Sequence, residues 1–136
     1  MGNSDNQPEW LARWAGARVL YLTTLGRRTG RPHRIEIWFA VDGGRLYLLS
    51  GGRDRSDWVR NIQVNPRVTV ELGGETHSGV ARILEEGTPQ DQRARALLVR
   101  KYRTTEDDLA DWGRRSLAVV IEFPGEAPNQ PQASSG

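Results

Sequence analysis

Residues 33–41, HRIEIWFAV, place Ile35, Ile37 and Phe39 on one side of an extended chain and Arg34, Glu36 and Trp38 on the other. Strict alternation over this length has the two-residue period of a half-buried β-strand, because successive side chains point to opposite faces. The strand runs into Asp42-Gly43-Gly44, a tight-turn signal, and residues 45–50, RLYLLS, return antiparallel. A hairpin of this kind fixes the pattern for the rest of the chain. Residues 19–24, VLYLTT, form a β-rich run before it, and residues 67–72 and 75–84 form a second hairpin around Gly73-Gly74. Residues 116–123, SLAVVIEF, read as a last, largely buried strand.

Three segments change period. Residues 9–15 place Trp10, Leu11 and Trp14 on one face of a short amphipathic helix. Ser56 opens a helix that holds Asp57 in its first turn, turns Trp58, Val59 and Ile62 inward and stops at Asn65-Pro66. Thr88-Pro89-Gln90-Asp91 is a capping start with proline at the first helical position, and Ala94, Leu97, Leu98 and Tyr102 share one face of the helix that follows. The order β, β, β, α, β, β, α, β has no crossover helix between parallel strands. About six antiparallel strands with two or three helices therefore predict a mainly-β α+β fold, a small closed or partly closed barrel.

At 136 residues this is one domain. Residues 1–123 are expected to form it, with 1–15 as an N-terminal helical segment. Residues 124–136, PGEAPNQPQASSG, have the composition of a disordered tail. No window approaches the ~18 apolar residues of a membrane span, so stable membrane insertion is not expected. Cysteine is absent, which excludes disulfides, thiolate metal sites and cysteine nucleophiles and fits a cytoplasmic location. A net charge of +2 argues against a dedicated nucleic-acid binder. Lys101 is the sole lysine among 19 cationic residues.

The most informative local feature is Gly26-Arg27-Arg28-Thr29-Gly30-Arg31-Pro32-His33-Arg34, with four arginines and a histidine and no carboxylate. Glycines allow backbone N–H groups to approach an anion closely, and each guanidinium fork can grip two oxygens. A second glycine-rich basic loop, Gly51-Gly52-Arg53, follows the strand at 45–50. In a β-β-β meander its position converges on the first loop, and the positive end of the helix after Ser56 adds to the same field. Trp58 and Asn61 lie one turn apart on that helix, and the residues favour core for Trp58. Trp38, among arginines, is either a subunit-interface residue or a wall for a planar ligand. Metal and nucleophilic chemistries have little support: His33 and His77 are the only histidines, and there is no G-x-S-x-G and no P-loop. Asp107-Asp108 and Glu85-Glu86 read as solvated faces. An anion-gripping loop without catalytic machinery is the signature of a protein whose cofactor supplies the chemistry.

From Leu22 to Tyr102 the series LTTLGRRTGRPHRIEIWFAVDGGRLYLLS, SDWVRNIQVNPRVTVELGG, ARILEE and LLVRKY resembles, in the same order, the deazaflavin-dependent nitroreductase family. The resemblance implies a six-stranded split barrel of the pyridoxamine-phosphate-oxidase-like, FMN-binding type, often dimeric, and coenzyme F420 as cofactor. It implies that the phosphate and oligoglutamate tail of F420 meets Arg27, Arg28, Thr29 and His33, with Arg34 as a substitute for the family's arginine after the proline. It places the ring against Ile37, Trp38, Leu49, Ser50 and Gly51, with Gly52, Arg53, Trp58 and Asn61 completing the site. Glu36 stands where the family has a proline and either points away or changes the cofactor contacts; Val59 stands where the helix motif has a tyrosine. The implied reaction is hydride transfer from reduced deazaflavin to a quinone, nitro compound or activated alkene, with Ser50, Tyr47 or solvent delivering a proton. The N-terminal segment bearing Trp10 and Trp14 is expected to act as a lid or substrate wall. FMN held through one phosphate by the same arginines is the alternative, although the arginine run suits a polyanionic tail better. A non-catalytic cofactor-binding protein is the other. Strand surface bearing Trp38 and Val41 makes a homodimer reasonable.

Overall fold

The alternating runs form seven antiparallel strands, seen in a computed structural model that describes residues 8–103 and 109–124. They are β1 (Leu20–Leu25), β2 (Pro32–Ile37), β3 (Ala40–Asp42), β4 (Arg45–Ser50), β5 (Arg67–Leu72), β6 (Glu75–Ile83) and β7 (Leu117–Glu122). The sheet order is β2-β1-β5-β6-β7-β4-β3. Its two edge strands are consecutive in the chain, joined only by Trp38 and Phe39, so the sheet curls until its edges meet. The single alternating strand expected over 33–41 is thus one extended segment bent at its centre. Counted that way, the strands number six. The expected hairpin at Asp42-Gly43-Gly44 forms, Ala40 opposite Tyr47, but it pairs β4 with β3 alone; on its other side β4 lies along β7, Leu49 opposite Ala118, and not beside β2.

At the bend the strand ladder is interrupted, and buried backbone groups need other partners. They come from α3 (Pro89–Tyr102). The Phe39 N–H donates to the Tyr102 hydroxyl at 3.0 Å, and Lys101 Nζ donates to the Phe39 carbonyl at 2.9 Å. The Tyr102 hydroxyl also lies 2.7 Å from the Arg18 carbonyl, tying the entry to β1 to the same point. Thr88 caps α3 as the sequence predicts, accepting from the Asp91 N–H at 3.3 Å, with Pro89 at its first position.

Two apolar clusters flank the sheet. Inside the curl, Leu20, Leu22, Leu46, Leu48, Val70, Val119 and Ile121 pack with Trp58, Val59 and Ile62 from α2 (Asp57–Val64). Outside, Ala94, Leu98 and Tyr102 of α3 cover Tyr47, Leu49, Ala118 and Val120. Because α3 covers their second face, β4 and β7 are buried on both sides and read as continuous apolar runs instead of alternating ones. Each fully buried Leu or Val contributes roughly 1.5–3 kcal/mol of transfer free energy.

α1 (Glu9–Arg13) corrects another expectation. Trp10 is 6% exposed and Leu11 1%, both within the inner cluster. The Trp10 indole stacks on His77 with centroids 3.6 Å apart and meets the Phe123 ring edge-on at 4.9 Å. Trp14 lies against Gly73, whose φ of 59° fits the turn and where a Cβ would collide with the indole. The segment is part of the core and not a separate lid. The predicted tail after Pro124 and the Asp107-Asp108 pair lie outside the described residues.

Candidate cofactor site

The loop between β1 and β2 is folded by its own backbone. The Gly26 N–H donates to the Arg31 carbonyl at 2.8 Å, and the Gly30 N–H donates to the Gly26 carbonyl at 2.7 Å. Gly30, at φ 75°, takes a backbone conformation that side chains disfavour. Gly26 lets His33 and Thr29 close over it, since a Cβ there would stand 2.9 Å from His33 Nε2 and 3.1 Å from Thr29 Oγ1.

Asn61, 2% exposed on α2, fastens this loop. Its Oδ1 accepts from the Arg27 N–H at 3.1 Å and from the Arg27 guanidinium at 3.0 Å. Its Nδ2 donates to Thr24 Oγ1 at 3.0 Å, so one buried amide joins β1, the loop and α2. Arg27 also reaches Asp57 at 3.3 Å. Around these groups lies a pocket of about 230 Å³ lined by Gly26, Arg27, Arg28, Thr29, His33, Asp57 and Asn61. Arg27 is held by Asn61 and Asp57. Among the described residues, neither the Arg28 guanidinium nor the Arg28 and Thr29 amide N–H groups has a partner within the chain. Five of the predicted residues, Arg27, Arg28, Thr29, His33 and Asn61, therefore share one small cavity.

Other predicted residues are elsewhere. Arg34 lies on the outer face of β2, its guanidinium 3.9 Å over the Tyr21 ring and 3.1 Å from Glu71. Glu36, opposite Tyr21, points outward from the same face and away from the pocket. Arg53, with φ 54°, turns from the first loop: it donates to the Arg115 and Ser116 carbonyls at 2.8 and 3.1 Å and pairs with Glu86. The two basic loops thus do not converge through their side chains; the second loop meets the pocket only through the helix it leads into. Ser56 stands at the start of α2 without capping it, because its Oγ meets Ser50 Oγ at 2.8 Å, beneath Gly52. Trp58 is 9% exposed and is core. Tyr47 is buried under α3 with its hydroxyl accepting from Gln90 at 3.2 Å, and Ser50 is 2% exposed and held by Ser56 and the Arg53 carbonyl. Neither proton-donor candidate lines the pocket.

The expected ring residues divide. Ile37 packs toward the inner cluster, whereas Trp38 and Leu49 belong to the outer one. Trp38 stacks on Tyr102 at 4.3 Å and meets Trp112 edge-on at 5.5 Å. Trp112 comes from α4 (Ala110–Arg115), a helix the sequence reading missed, and a Cβ at Gly51 would sit 3.5 Å from its Nε1. Trp38 is therefore neither a bare interface residue nor an open wall. It forms, with Gly51 and Trp112, an aromatic cluster that residues 51–57 connect to the basic pocket. A guanidinium and two amides without partners in the chain fit the anionic tail of a cofactor, and the Trp38–Trp112 cluster, whose rings cross at 80°, stands at the far end of residues 51–57.

The fold is shared with solved structures. A protein solved as a domain-swapped dimer superposes with a TM-score of 0.65 at 20% identity, covering 78% of this chain and 81% of that one. An F420-H2 dependent reductase gives 0.64 at 21% identity, covering 78% and 95%. A Listeria innocua protein proposed to be a pyridoxamine 5'-phosphate oxidase gives 0.62 at 21%, covering 83% and 89%. These likenesses establish the split β-barrel of the pyridoxamine-phosphate-oxidase-like proteins. The family model of F420H(2)-dependent quinone reductases matches residues 3–124, and the chain belongs to that family, an oxidoreductase whose cofactor is F420.

Proposed function

We propose that the chain reduces an electron-poor small molecule, a quinone, nitro compound or activated alkene, by hydride transfer, and that the pocket of Arg27, Arg28, Thr29 and His33 holds the anionic tail of the coenzyme. When bound, reduced F420 supplies the hydride from its deazaflavin ring. The chain's own part is positioning. The Arg28 guanidinium and the amides of Arg28 and Thr29 supply charge-assisted hydrogen bonds to phosphate or carboxylate oxygens. Arg27, held by Asn61 and paired with Asp57, gives the pocket a rigid wall and leaves Arg28 as its uncompensated charge. Trp38 and Trp112, half-buried beside Gly51, are the apolar surface proposed for the ring, and transfer requires the acceptor within about 3–3.5 Å of it. The proton that completes the reduction comes from solvent, since the Tyr47 and Ser50 hydroxyls are buried and engaged.

The observation that carries this reading is the Arg28 guanidinium beside two amide N–H groups, all exposed and without partners within the chain, at the pocket that Gly26 lines. Among the described residues no helix is long and apolar enough to cross a membrane. The reading includes a cytoplasmic location, with cysteine-free composition as its support, and a homodimer, the assembly form of one solved neighbour. Single-turnover reoxidation of the reduced coenzyme, deuterated at its transferring carbon, tests the chemistry across the three acceptor classes. A primary isotope effect with at least one class supports hydride transfer. Turnover without an isotope effect in any class contradicts it.

A further inference from the structure

A second cavity, of about 540 Å³, lies apart from the basic pocket on the outer face of β1, β5 and β6. Strand register sets its floor. Thr23 is opposite Thr69 and Thr69 is opposite Ser78, so three hydroxyls stand in one row across three strands. Leu25, Val80 and Pro124 supply apolar walls, and Val80 is 40% exposed, one of two large apolar side chains left so open among the described residues. Arg67 stands beside this row, opposite Val80.

The arginines of the surrounding surface separate into two kinds. Arg34 is neutralised by Glu71 at 3.1 Å, and Arg45 and Arg82 both reach Glu122, at 3.0 and 3.6 Å. Among the described residues Arg67 has no carboxylate partner, and no acidic residue lines the groove. An unpaired guanidinium at one side of an apolar, hydroxyl-floored trough is complementary to one class of molecule: an oxyanion head on a flat apolar body. The volume lies in the range of small-molecule sites. An exposed antiparallel sheet face is ordinarily polar; this one carries a concavity, an apolar rim and, in Arg67, a guanidinium without a carboxylate partner among the described residues.

We propose that the groove over Thr23, Thr69 and Ser78 is a second binding site, separate from the cofactor pocket, for an amphipathic organic anion whose carboxylate or sulfonate meets Arg67. The inference does not rest on the assignment of the basic pocket. Fluorescence titration with anilinonaphthalene sulfonate, an aromatic body with an oxyanion head, tests it on the intact protein, beside neutral N-phenylnaphthylamine. The sulfonate should bind at least about tenfold more tightly than the neutral probe, in line with a charge-assisted contact. Arg67→Ala should weaken it by a similar factor, and Ser78→Trp should abolish binding in the groove by filling it. Arg67 and Ser78 are exposed, so both variants keep the core intact. Equal affinity for the two probes, or indifference to both groove substitutions, overturns the proposal. So does a shift from dimer to monomer in Ser78→Trp with probe affinity unchanged, which would make the groove an interface between copies.

Discussion

Arg28 and Asn61 both border the basic pocket, yet their substitutions are predicted to differ in kind. Arg28 is exposed and unpartnered, so Arg28→Ala removes only what it offers a ligand and leaves the thermal midpoint where it was. Asn61→Ala strips partners from the Arg27 amide, the Arg27 guanidinium and Thr24 Oγ1. Leaving buried polar groups unsatisfied costs about 1–3 kcal/mol. It should therefore lower stability and coenzyme affinity together. Calorimetry beside coenzyme titration reads the split, and a stability loss in Arg28→Ala as large as in Asn61→Ala would contradict it. The Gly-Arg-Arg-Thr-Gly run was legible at this scale because its composition has few other uses. The direction of Arg53 was not, since Glu86 and the carbonyls at Arg115 and Ser116 are remote in sequence.

Among the elements, the bend at Trp38-Phe39 decides the fold, because it delivers one strand to both edges of the sheet. Its backbone is satisfied by Tyr102, so Tyr102→Phe should cost about 1–3 kcal/mol through the unpaired Phe39 N–H. Chemical denaturation measures that; a change below about 0.5 kcal/mol would mean the bend holds itself. Docking of α1 is predicted from burial: Leu11→Ala should cost about 2–5 kcal/mol, a core value and not that of a movable flap. Near-neutral stability would restore the lid. Alternation in 33–41 was readable straight through the bend, since Ile35, Ile37 and Phe39 keep facing inward on both sides of it. Its break was not readable, because the compensating hydrogen bonds come from more than 60 residues away. α4 escaped notice for a local reason: ADWGRR is short and carries Gly113, which packs closely against Val99.

For the whole molecule, Lys101 links the turn after α1, the bend and α3. Its Nζ donates to the Ala15 and Phe39 carbonyls at 3.1 and 2.9 Å and lies 3.7 Å from the Phe39 ring centroid. Burial, with the nearby Arg18 charge, lowers its pKa to about 8 from 10.5. Between those values the unfolded chain binds more protons at this site than the folded one, so this residue's contribution to stability grows as pH rises from about 8 toward 10. Burial raises the Tyr102 pKa above its usual 10.0, and that group lowers stability only at higher pH, as the unfolded chain ionises first. Thermal midpoints should therefore climb from pH 8 to pH 10 in the parent protein relative to Lys101→Met; parallel profiles would contradict the assignment. The barrel, the hairpins and the family were all readable from the sequence because periodicity and motif order are properties of the chain. Which side chains share a cavity depends on closure, and closure separated Arg34 and Arg53 from the pocket while bringing in Trp112 beside Trp38.

If the loop from Gly26 to His33 holds the anionic tail of the coenzyme and Arg34 does not, fluorescence titration with F420 separates the two. Three proteins suffice: the parent, Arg28→Ala and Arg34→Ala. Charge-assisted contacts contribute about 1.5–3 kcal/mol, so Arg28→Ala should weaken binding by roughly 10- to 100-fold, with Arg34→Ala within about twofold of the parent. Equal binding by parent and Arg28→Ala, or a larger loss in Arg34→Ala, would contradict the account.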